Sequence, residues 1–108
     1  MIEILYDRKK HSVFVRGHAG SAEYGHDIIC SAVSVLVYTL AANVKKLSDN
    51  RQCVRRPVIE LNEGRAFISC DPVHGFTAVT TLVFDTVCEG FSLLSQQYYG
   101  FISYKVKG

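Results

Sequence analysis

The chain has 108 residues, 48% hydrophobic and 20% charged, with 12 Lys and Arg against 10 Asp and Glu. One domain spanning residues 1–108 is expected from that length, and the apolar fraction excludes a disordered chain. A net charge of +2 is too balanced for a nucleic-acid footprint over the whole domain.

Ser, Thr, Asn and Lys interrupt each apolar run before the roughly 18 residues that a membrane span needs. No basic stretch and apolar block follow Met1, so no secretory signal is expected. A soluble, cytoplasmic protein without a membrane partner is the expectation. Cys30, Cys53, Cys70 and Cys88 are spaced by 23, 17 and 18 positions, with no C-x-x-C or zinc pattern. They are expected to be reduced thiols, with no metal and no cofactor. Lys45, Lys46, Arg51, Arg55 and Arg56 form the densest basic stretch, read as a solvated helix end and loop.

Ile2, Ile4 and Tyr6 alternate with Glu3, Leu5 and Asp7, and His11 to Arg16 supplies a second strand, giving a hairpin. Residues 17–26 hold three of the eight glycines and read as a mobile loop. Asp27 then stands where an N-cap belongs. Ile29, Val33, Leu36, Val37, Leu40, Val44 and Leu47 follow as one amphipathic stripe, stopped at Ser48-Asp49-Asn50.

Val58–Leu61 and Ala66–Cys70 read as a second hairpin turned by Asn62-Glu63-Gly64. A second helix is expected from about His74 to Gln97, its stripe formed by Phe76, Val79, Val83, Val87, Phe91 and Leu94. Phe101 to Val106 closes the chain as a strand. The order β-β-α-β-β-α-β predicts an α+β fold: an antiparallel sheet with two long helices packed on one face.

The chemistry concentrates in residues 17–34, GHAGSAEYGHDIICSAVS. His18 ends a strand, Cys30 lies in the first turn of a helix, and a compact loop brings such ends together. A helix N-terminus and a nearby imidazolium both favour thiolate, which makes a nucleophile and a general base from two ordinary residues. The same spacing also suits a packed thiol and a surface histidine. Asp27 serves as a cap or orients the histidine. Ser34, one turn after Cys30, supports the site or bonds its own helix. Gly20, Tyr24 and Gly25 lie on a loop able to close over a peptide.

His26 is a rival base, discounted if the helix starts after Asp27. His11 and His74 are expected to be solvated. Cys70 and Cys88 are expected in the core. Cys53 is the rival reactive thiol, because Arg51, Arg55 and Arg56 flank it.

Gly17-His18-Ala19-Gly20, Gly25, Asp27-Ile28-Ile29-Cys30-Ser31 and Val33-Ser34 resemble the ribosomal-processing cysteine protease family, often called Prp. Ile29 stands where that family usually has Val, and Ser31 where it usually has Ala. Length, element order and the aromatic-rich closing strand extend the likeness over the whole chain. The resemblance implies that His18 is the general base and Cys30 the nucleophile, in a homodimer. It implies as substrate the N-terminal extension of a large-subunit ribosomal protein, number twenty-seven, cleaved after an aromatic pair. Nucleic acid is not required for that reaction. Two other classes fit the residues alone: a non-enzymatic ribosome-assembly factor, and a thiol-dependent acyl transferase or amidase.

Overall fold

A computed structural model describes residues 1–17 and 26–108, with the side chains of residues 26 and 27 excepted. Its elements are β1 (Ile2–Asp7), β2 (Ser12–Arg16), α1 (His26–Asp49), β3 (Val58–Asn62), β4 (Arg65–Ser69), α2 (Thr77–Gln97) and β5 (Ile102–Lys107). The order is the expected one. The sheet runs β3-β4-β2-β1-β5 and is mixed rather than antiparallel. Its hairpins pair antiparallel, Ile4 opposite Val15 and Ile59 opposite Ile68, but β1 pairs parallel with β5, Ile2 opposite Ile102. Strands that are first and last in the chain are joined through a crossover, and such a connection permits parallel pairing.

Both helices pack on one face. Alternate residues of the strands point there: Ile2, Ile4 and Tyr6 from β1, Val13 and Val15 from β2, Ala66 and Ile68 from β4, and Ile102 from β5. Helix α1 adds Ile29, Val33, Val37, Leu40 and Val44 along the expected stripe. The stripe of α2 differs from the expected one. Its buried residues are Thr80, Phe84, Val87, Cys88 and Phe91, whereas Phe76 and Val79 are exposed. The helix begins at Thr77 rather than His74, and its first turn stands clear of the sheet.

A Cβ at Gly90 would approach the Leu36 methyls at 2.9 Å, so the small residue is what lets α2 lie close against α1. Tyr6 stacks on Phe84 at 6.1 Å, and its hydroxyl donates to Asp85 at 2.7 Å. Arg8 closes on the same carboxylate at 3.0 Å.

By length and composition Ile28–Asp49 and Thr77–Gln97 would each suffice to cross a bilayer, despite the polar residues that interrupt them. In the fold each instead lays one apolar stripe on the sheet. Their outer sides keep Val35, Tyr38, Leu82 and Leu93 exposed.

Helix α1 stops in a Schellman turn. The Gln52 N–H donates to the Leu47 carbonyl at 2.9 Å and the Arg51 N–H to the Ser48 carbonyl at 3.0 Å. Arg51 occupies the left-handed position of that turn, at φ 60°.

His11 departs from expectation. It is buried, its Nε2 lies 2.7 Å from the Thr81 hydroxyl, and it meets Phe84 edge-on at 5.9 Å. The β1–β2 turn folds it inward, against α2. Burial and then Arg8 hold its pKa below the usual imidazole value.

Candidate active site

Cys30 is the fifth residue of α1, because the helix begins at His26 rather than after Asp27. Asp27 therefore lies inside the first turn rather than at the position before it. The same shift restores His26 as a rival: residues four apart on a helix share a face, so the reason for discounting it falls away. The side chains of both, and all of His18, Gly20, Tyr24 and Gly25, lie outside the described residues.

The Cys30 thiol is half-buried, touching the core on one side and a groove of about 440 Å³ on the other. Helix α1 forms one wall of that groove with Cys30, Ser34 and Tyr38. The β3–β4 turn, from Leu61 through Ala66, forms the facing wall. Ile2, Val15 and Gly17 complete it. Ser34 is exposed on the groove and has no hydrogen-bond partner among the described residues, its own helix included. It is free to bond a bound ligand.

Gly17 fixes where the chain leaves β2 for His18. Its N–H donates to the Gly64 carbonyl at 2.9 Å, and its φ is +102°. A Cβ there would collide with the Met1 carbonyl oxygen, so glycine is required on two independent grounds. The residue before the histidine and the cysteine thus line one groove. The expected meeting of His18 with Cys30 itself lies outside the described residues.

The facing wall was not foreseen. Glu63 and Arg65 bring charge to the groove, and Arg65 is held over the Phe14 ring at 5.3 Å. Nothing in the sequence signals that this hairpin lies opposite α1. Tyr38 was missed as well, although its place two helical turns beyond Cys30 is the signal that could have found it.

The remaining thiols differ in surroundings. Burial pushes Cys88 up to about 12, and burial with a contact to Cys53 pushes Cys70 up to about 12. Both stay protonated at neutral pH, as core cysteines should. Cys53 is half-buried and packs against the Cys70 sulfur, rather than standing free beside the arginines.

Comparison with known proteins gives the site a context. A crystal structure of SMU.848 from Streptococcus mutans is 26% identical, with a TM-score of 0.66, over 98% of this chain and 91% of that one. The ribosomal processing protease Prp of S. aureus, in complex with a covalently linked product peptide, is 24% identical with a TM-score of 0.75. That match covers 99% of this chain and 100% of the other. The same S. aureus protease in complex with a substrate peptide is 23% identical with a TM-score of 0.71, over 98% and 97% of the two chains. These two likenesses show a shared fold. No curated protein matches the chain. The family model for cysteine protease Prp matches residues 1–107, essentially from end to end, and the chain belongs to that family of cysteine proteases.

Proposed function

We propose that the protein is a cytoplasmic endopeptidase that removes a short N-terminal extension from a large-subunit ribosomal protein, number twenty-seven. The observation that carries this reading is the placement of the Cys30 thiol on an open groove, with Gly17, the residue preceding His18, lining the same groove. The ribosomal processing role of the S. aureus relatives, and their complexes with substrate and product peptides, support a peptide substrate of that class.

In the proposed reaction His18 takes the Cys30 proton and the thiolate attacks the scissile carbonyl. Backbone N–H groups of the first turn of α1 stabilise the oxyanion, since the first four have no acceptor within the helix. His18 protonates the departing amine, and water then hydrolyses the thioester. Ser34 supports the bound peptide by hydrogen bonding.

The protein acts as a homodimer in this reading, supported by the apolar side chains of Val35, Leu82 and Leu93 on the outer side of the helices. Sedimentation of the purified chain tests that part. The catalytic part is tested by incubating the protein and its Cys30→Ala variant with the extended ribosomal protein. Cleavage after the aromatic pair by the wild type alone is expected. Cleavage by a folded Cys30→Ala variant removes the thiol mechanism.

The start of α1 at His26 favours a second version of the same chemistry, in which His26 is the base.

A further inference from the structure

We propose that Cys53 and Cys70 form an oxidisable dithiol, converted by low-molecular-weight disulfides into an intramolecular disulfide that staples the segment after α1 to the end of β4. The two Sγ atoms lie 2.8 Å apart as free thiols. A disulfide bond is about 2.05 Å long, so the sulfurs need close by only roughly 0.8 Å.

Their proximity is built into the backbone. Cys53 bridges antiparallel to Pro72. The Val54 N–H donates to the Asp71 carbonyl at 2.7 Å, and the Val73 N–H to the Gln52 carbonyl at 2.9 Å. The Arg55–Asp71 ion pair, at 3.1 Å, closes the same short ladder from its side chains. On the other side, the Cys70 N–H donates to the His11 carbonyl at 3.0 Å. Two strand-like segments hold the pair in register. Neither thiol lines the Cys30 groove, so the pair lies outside the proteolytic machinery.

The two thiols have unequal access, which sets the order of events. Cys53 is partly exposed, whereas Cys70 is 2% exposed and is kept protonated by its burial. Cys53 Sγ attacks an external disulfide RSSR, forming a mixed disulfide and releasing one RSH that carries away the Cys53 proton. Cys70 Sγ then attacks Cys53 Sγ and displaces the second R group, which leaves as RSH with the Cys70 proton. The two cysteines are oxidised and RSSR is reduced to two RSH. The second step is intramolecular between sulfurs already in contact, which offsets the protonated state of Cys70.

The test is a redox titration of the full chain with oxidised glutathione. At Cys53 and Cys70 the wild type is expected to lose two hydrogens and to keep no glutathione, whatever adduct forms on Cys30. Cys53 and Cys70 should become unreactive to maleimide after denaturation, with a cross-link joining residues 52–55 to Cys70, separated from Cys88 by a chymotryptic cut within the tryptic peptide 66–105 that holds both. Cys70→Ser is expected to trap a lasting glutathione adduct on Cys53, and Cys53→Ser to leave Cys70 reduced. A wild type that accumulates glutathione on Cys53 with Cys70 still free, or a cross-link made to Cys30 or Cys88, overturns the proposal. Should either serine variant fail to fold, the wild-type peptide map decides alone.

Discussion

The Gly17 N–H donates to the Gly64 carbonyl at 2.9 Å, fastening the residue before His18 to the turn that faces Cys30. One hydrogen bond therefore relates the residue that follows β2 to the wall of the groove. Gly17→Ala should disturb both. Its Cβ would meet the Met1 carbonyl, and its φ of +102° is one that L-residues avoid. Such strain costs about 1–3 kcal/mol. Peptide cleavage is expected to fall at least about tenfold under conditions where the variant remains folded, because a displacement of this size near reacting groups is costly. Denaturant unfolding alongside kcat/KM separates the two effects. A variant of lowered stability that cleaves at the wild-type rate would show that the fastening does not position the site.

His18→Ala and His26→Ala decide between the two candidate bases. Loss of the general base should reduce turnover by about 10²–10⁴-fold, and loss of the other histidine by far less. The rate of Cys30 alkylation supplies an independent reading. Removing the partner histidine is expected to slow it, while the alkylation of Cys53 stays as it was. If neither histidine matters, the acid–base assignment fails while the nucleophile stands.

Acid should weaken the fold in two stages. His11 is held below the usual imidazole pKa by burial and then by Arg8, with Asp71 and Asp85 opposing. The unfolded chain therefore takes up that proton first, and the stability His11 contributes is complete above about pH 6.5 and lost as pH falls from there. Asp85 is held below the usual carboxylate range, chiefly by its hydrogen bonds from Arg8. Its contribution is present above about pH 3.9 and lost as pH falls through the lower folded value. Urea unfolding between pH 8 and pH 3 should show both stages, and His11→Gln should flatten the first. A first stage unchanged in His11→Gln assigns it to another group.

Arg51→Gly should stabilise the protein by about 1 kcal/mol, since Arg51 holds the left-handed position of the Schellman turn at φ 60°. Its side chain is exposed, so little packing is lost with it. Thermal unfolding measures the gain. A lower midpoint for the variant would mean that the guanidinium contributes more than the backbone strain costs.

Much of this architecture was readable along the chain because it rests on local periodicity. Ile2, Ile4 and Tyr6 alternate, and Ile29 to Val44 recurs at helical spacing, so β1 and α1 declare their buried faces. What failed was of another kind. The parallel pairing of β1 with β5 depends on where a crossover lands, and alternation in β5 carries no trace of its neighbour. The stripe of α2 was misjudged because Phe76 and Val79 are apolar yet lie beyond the sheet, while Thr80 is polar yet fully buried. His11 read as a turn residue in water, but its left-handed backbone at φ 49° folds the ring under α2. For the site, the candidate residues stood out because the block from Gly17 to Ser34 holds them close together along the chain. The wall opposite Cys30 depended on a hairpin some thirty positions later, whose placement is a property of the sheet.

The parallel ladder between Ile2 and Ile102 also sets an order in time. β1 lies inside the sheet, between β2 and β5, so its second row of hydrogen bonds waits for β5 to dock. Contacts this distant along the chain form late, after the cost of closing the intervening loop has been met. Ile2 is itself part of the groove that holds Cys30. A chain that has built its hairpins and helices but has not yet docked β5 lacks the ladder that holds Ile2, so the groove around Cys30 is completed late in folding.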